Sequence, residues 1–137
     1  MVTDNALNLL GLALRGGNLA VGEEPVREAC KTHRAWLVVS ADDAADNSIE
    51  RAERWAVAGG VPWVRLPWDK ETLGNALGRK LCAMAALTDR GLTAALVEKL
   101  IRADRGSCSI LEPYLESISN DKKKSRAEAK RPAVPET

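Results

Sequence analysis

Apolar positions change their period in a regular way along this chain. Between Asp4 and Leu14 they recur at Leu7, Leu10 and Leu14, with Ala6, Leu9 and Ala13 alongside, a helical stripe stopped by Gly16-Gly17-Asn18. Leu19-Ala20-Val21 reads as a short strand or a connector. After Gly22 a second helix is expected over about Glu23 to Thr32. Glu23 and Glu24 suit its first turn, and Pro25 is tolerated there because early helical N–H groups have no intrahelical partner. Ala35 to Ser40 (Ala-Trp-Leu-Val-Val-Ser) is the continuous apolar run of a strand buried on both faces. A helix from about Asp46 to Ala58 follows, ended by Gly59-Gly60, and Val61 to Leu66 makes the next strand. Asp69 is placed to cap a short helix over Lys70 to Leu77, Cys82 to Leu87 reads as a fourth strand, and Thr88-Asp89 introduces a helix over about Arg90 to Arg102. Strands alternating with helices predict a three-layer α/β/α sandwich.

After Asp104 the pattern breaks. Residues 1–103 are expected to form one α/β domain and 104–137 an extension, in which 109–119 could form a short helix before a charged, apolar-poor, disordered tail from Asp121.

Composition narrows the class. A chain of 137 residues with 45% hydrophobic content has room for one well-filled core. Its 20 basic and 19 acidic residues nearly cancel, so no chain-wide field selects nucleic acid or membrane, and any basic surface must be local. The longest apolar runs fall well short of the ~20 residues that span a bilayer. Met1-Val2-Thr3-Asp4-Asn5 lacks the basic start of a secretory leader, so the expected location is cytoplasmic, with no membrane contact. Cys30, Cys82 and Cys108 are scattered without paired spacing and read as reduced thiols.

Catalytic chemistry finds little support. Cys30 and His33 lie three apart on a helix, but with one histidine in the chain and no third orienting group they make neither a hydrolytic constellation nor a zinc site. Asp42 and Asp43 follow a buried strand as magnesium-holding carboxylates do, yet no Gly-rich phosphate loop accompanies them, and beginning a loop and capping a helix accounts for both. No catalytic residue, metal site or cofactor is expected. Among the tryptophans, Trp36 and Trp63 sit in strands and read as core or sheet-face residues. Trp68, after Pro67 in a loop, reads either as packing on the domain's own helix or as an exposed anchor for a protein partner.

Five strings, in order and with fitting gaps, carry a family resemblance: Leu9-Leu10-Gly11-Leu12-Ala13, Arg15-Gly16-Gly17-Asn18-Leu19, Val21-Gly22-Glu23-Glu24, Leu73-Gly74-Asn75-Ala76-Leu77-Gly78 and Leu87-Thr88-Asp89-Arg90-Gly91. Over residues 6–101 the chain resembles the kink-turn-binding ribosomal proteins, related to the large-subunit proteins seven-Ae and thirty-e, and within them the bacterial YlxQ-like branch. The resemblance implies a mixed four-stranded sheet between helical layers and no reaction. It also implies a surface for structured, kink-turn-like RNA, ribosomal or other, built from the start of the second helix and the loop before the last strand.

On these positions the expected RNA-binding residues are Arg15, Gly22, Glu23, Glu24, Arg27, Lys31, Arg79, Lys80, Leu81, Cys82 and Ala83. A helix tip suits phosphate oxygens or base acceptor edges because its amides are unpaired, and bent RNA presents such edges where a regular duplex does not. The chain also departs from its relatives. Glu24, Pro25 and Glu28 stand where many carry a polar amide, a glutamate and a lysine, and Asn18 stands where lysine is frequent. The Lys122-Lys123-Lys124-Ser125-Arg126 run reads either as added attraction to RNA phosphates or as a solubilising terminus. The alternative function is a protein-interaction module that kept the fold and lost specific RNA binding, using Trp68 or the C-terminal tail.

Overall fold

The computed structural model describes residues 3–103 and 111–120. In chain order these form α1 (Thr3–Arg15), β1 (Leu19–Val21), α2 (Glu23–Lys31), β2 (Leu37–Ser40), α3 (Asp46–Gly59), β3 (Trp63–Arg65), α4 (Lys70–Ala76), β4 (Met84–Leu87), α5 (Arg90–Ala103) and α6 (Glu112–Asn120). Strands β2, β3 and β4 are shorter than the apolar runs that signal them, because flanking amides bond elsewhere. Ala35 N–H donates to Ala29 O at 3.2 Å, Val61 N–H to Ala56 O at 2.9 Å and Cys82 N–H to Lys70 O at 3.0 Å.

The sheet has the order β1-β4-β2-β3. Strand β4 is antiparallel to both neighbours, and β2 and β3 are parallel, joined through α3. Side chains alternate across it. Leu19, Val21, Leu37, Val39, Ala85 and Leu87 face one core with α1, α4 and α5, whereas Val38, Met84 and Ala86 face a second core with Val26, Ala29 and Cys30 of α2 and Ala52 and Ala56 of α3. The result is the expected three-layer α/β/α sandwich around a mixed four-stranded sheet. Helices α2 and α3 approach so closely at Gly59 that a Cβ there would lie 3.2 Å from both Cβ and O of Cys30.

Two aspartates act as helix caps where the pattern placed them: Thr72 N–H donates to Asp69 Oδ1 at 2.8 Å and Leu92 N–H to Asp89 Oδ2 at 2.9 Å. Asp43 also caps a helix, but not the adjacent one. It accepts from Lys70 N–H of α4 at 2.8 Å, while α3 begins at Ala45 with no side-chain cap. Cys30 lies in the core between α2 and α3. His33, at φ 60°, ends α2 with a backbone N–H bond to Cys30 O at 3.1 Å, and Arg34 N–H reaches Ala29 O at 2.8 Å.

The tryptophans separate by environment. Trp63 is partly buried between the two cores and donates its indole N–H to Ser40 Oγ at 2.8 Å, which satisfies a fully buried hydroxyl. Of the two readings, the structure bears out packing within the domain over the exposed anchor for Trp68. Its side chain is 8% exposed within the first core, where a large apolar ring gains more from burial than from solvent.

Helix α6 packs against α5, burying Leu111 just before it and Ile118 within it. The Tyr114 hydroxyl donates to Trp36 O and so fastens the helix to the start of β2. The tail expected to be disordered from Asp121 lies outside the described residues. Since Ile118 is fully buried, Ile118→Ala is expected to remove about 2–4 kcal/mol of stability in urea unfolding.

Candidate nucleic-acid interface

At the end of β1 the chain turns into α2 through Gly22, whose φ of 101° and ψ of 165° belong to a region other residues rarely enter. Its N–H donates to Met84 O at 3.1 Å, and its O accepts from Val26 N–H at 3.1 Å. Val26 is thus the first amide with a helical acceptor, and Pro25 has no N–H. No side chain caps α2, so the Glu23 and Glu24 amides point beyond the helix for an outside acceptor.

The segment between α4 and β4 comes to the same place. Gly78, at φ 74°, reverses the chain, and Arg79 N–H returns to Gly74 O at 2.8 Å. A Cβ on Gly74 would lie 2.9 Å from Arg79 O, Leu81 N and Leu81 Cα, so this glycine lets the loop lie directly on α4. Cys82 then donates its thiol to Met84 O at 3.4 Å, and Ala83 O accepts from Ala41 N–H at 2.9 Å. One carbonyl, Met84 O, therefore receives both Gly22 of the helix tip and Cys82 of the loop. The two elements are held together at the end of the sheet where β4 begins.

Exposure divides the loop residues. Arg79, Lys80 and Leu81 are exposed, and Leu81 keeps 57% of its surface in solvent, while Cys82 is buried at 3% and Ala83 is half-buried. The Cys82 side chain therefore supports the loop from within and presents no surface to a ligand. Burial pushes its thiol up from the ordinary 9.0 to about 11, against the opposing pull of the Arg79 charge.

Charge at the tip is largely compensated internally. Arg51 Nη1 lies 3.0 and 2.9 Å from the two oxygens of Glu23, and Ser48 Oγ donates to the same carboxylate at 3.1 Å. Arg27 reaches Glu24 at 3.3 Å. Glu28 is exposed and forms no ion pair among the described residues, nor do Arg79 and Lys80. Sequence reading missed Ser48 and Arg51, which stand 25 and 28 residues from Glu23; the nearest signal is the uncapped start of α3 at Ala45.

Arg15 and Lys31 are set apart from the tip. Arg15 ends α1, and the turn after it sits at the far end of β4, where Thr88 N–H donates to Asn18 O at 3.0 Å. Lys31 ends α2, roughly 12 Å along the helix from Glu23. Both occupy last turns, where cations complement the helix dipole.

A family model described as the ribosomal protein L7Ae/L30e/S12e/Gadd45 family matches residues 4–97, from α1 into α5. The chain belongs to this family. It is 29% identical over 92 residues to the RNA-binding protein YlxQ of Bacillus subtilis (strain 168), a match covering 67% of this chain and 91% of that protein. A Bacillus halodurans structure described as a protein with unknown function superposes with a TM-score of 0.63 at 26% identity, covering 69% of this chain and 94% of the other. The Giardia lamblia 15.5kD RNA binding protein has the same fold, with a TM-score of 0.57 at 23% identity over 74% of this chain and 86% of its own. The family match takes in both the α2 tip and the 79–83 loop, whereas α6 lies beyond it. Among the described residues no helix is long and apolar enough to cross a membrane.

Two measurements probe this supporting geometry. Gly74→Ala pushes a methyl group into loop backbone that cannot swing aside and should cost about 1–3 kcal/mol in chemical unfolding. Because the native Cys82 thiol keeps its proton above the pH at which the unfolded thiol loses it, stability should fall as pH rises from about 9 to about 11. Cys82→Ala should flatten that slope, as read from urea midpoints across this range.

Proposed function

We propose that this chain is a noncatalytic RNA-binding protein of the cytoplasm, associated with ribosomes, that recognises a sharply bent, kink-turn-like RNA at the α2 tip and the 79–83 loop. The observation that carries the reading is the junction at Met84 O, which receives both Gly22 at the entry to α2 and Cys82 of the 79–83 loop and so ties the two assigned elements to one residue. Each part has a role suited to RNA. The amides suit phosphate oxygens or the acceptor edges of extruded bases. Arg79 and Lys80 suit phosphates, and Leu81 offers an apolar face to an unstacked base. Family membership and likeness to a relative named as RNA-binding support the same assignment.

Acidic substitutions in α2 weigh less against this reading than their number suggests. Glu23 is neutralised by Arg51 and Glu24 is paired with Arg27, so Glu28 stands alone against Arg79 and Lys80. The protein-interaction alternative loses its principal anchor, since Trp68 is buried.

In a gel-shift titration the protein should bind a kink-turn RNA well above a straight duplex of equal length. Equal, weak binding to both would remove the specific claim. The double charge reversal Arg79→Glu with Lys80→Glu should weaken kink-turn binding at least about tenfold and make the log–log salt slope shallower by roughly 1–2.

A further inference from the structure

We infer that Arg51 of α3, outside both elements assigned to RNA, is a positioning residue that sets RNA affinity by restraining and neutralising Glu23 at the α2 tip. This deepens the RNA-binding reading and rests on it.

Glu23 and Glu24 both sit in the first turn of α2, yet their environments differ. Glu24 meets one guanidinium nitrogen at 3.3 Å with 82% of its side chain exposed, an arrangement that water screens and thermal motion disrupts. Glu23 has both carboxylate oxygens engaged by Arg51 and one of them by Ser48, and the paired side chains are 41% and 35% exposed, Glu23 first. Three contacts from another helix fix where that carboxylate can go. The same contacts bring an anion to the first turn of α3, where Ala45 supplies no side-chain cap and the helix dipole favours negative charge. Glu23 is thereby drawn toward α3 by two independent attractions.

The consequence for a polyanion is direct. Glu23 also supplies one of the two outward amides, so its carboxylate is among the charges that a phosphate held there would meet. Held against Arg51, it adds no net charge. Released, it would place an uncompensated negative charge within several ångströms of the ligand, a repulsion expected to weaken binding about tenfold at interfacial screening.

Dissociation constants for one kink-turn RNA, measured for the full-length wild type, Arg51→Met, Glu23→Gln, the double variant and Arg51→Lys, test this. Arg51→Met should bind about tenfold more weakly. Glu23→Gln should tighten binding, because it leaves Arg51 uncompensated, and in that background Arg51→Met should no longer produce a tenfold loss relative to wild type. Arg51→Lys, which keeps the charge, should recover most of the affinity, and thermal unfolding should show the variants folded. Wild-type affinity in Arg51→Met would overturn the inference, and so would a double variant as weak as Arg51→Met, since that pattern belongs to a direct phosphate contact or a damaged fold. If either of these overturning outcomes occurs while the Arg79/Lys80 reversal still weakens binding at least about tenfold, the RNA reading stands without Arg51. A wild type that does not prefer the kink-turn RNA over duplex removes both.

Discussion

Strands β2 and β4 bury side chains on both faces, so each face of the central sheet must be covered by helices. The short connections of the chain can meet that demand only by sending α1, α4 and α5 to one side and α2 and α3 to the other. Because β4 runs antiparallel to both neighbours, its first residue lies beside the last residues of β1 and β2. The chain therefore enters β4 next to the point where it leaves β1 for α2. The candidate interface is a by-product of that strand order: Met84 O accepts from both sides because both sides must arrive there.

Rigidity at this end of the sheet comes from backbone more than from side chains. Gly22 enters a conformation that other residues rarely adopt, Gly74 admits the loop onto α4, and Cys82 is buried as a packing element. Apart from the α2 carboxylates and Arg27, what the two elements offer for contact is small: two amides, two cations and one leucine. Such a surface offers few flexible groups to immobilise on binding, which suits recognition of a preformed bend in a polymer.

Electrostatics at the tip depends on the tertiary structure in a way that charge counting misses. Three glutamates in α2 suggest an acidic helix, yet a guanidinium from α3 cancels the first of them. Conversely, Arg15 and Lys31 raise the apparent basic content of the site from the sequence, although the fold carries both to other positions.

Local order determined much of this protein. Helical and extended periods located α1 to α5 and the strands β2 to β4, Asp69 and Asp89 announced their helices, and the apolar run ending at Ser40 announced a strand with two buried faces. These signals act between residues at most a few positions apart, where backbone sterics and helix periodicity decide the outcome. The mixed sheet was legible only through family resemblance, because strand order is a choice among partners that no single segment encodes. Likewise only the fold decided that Asp43 caps α4, that Arg51 restrains Glu23, that Trp68 is buried and that Tyr114 fastens α6 to Trp36. The three polar contacts join residues 27, 28 and 78 positions apart. Separations of that size are closed by burial of the core as a whole, and the polar contacts form wherever that packing leaves their partners.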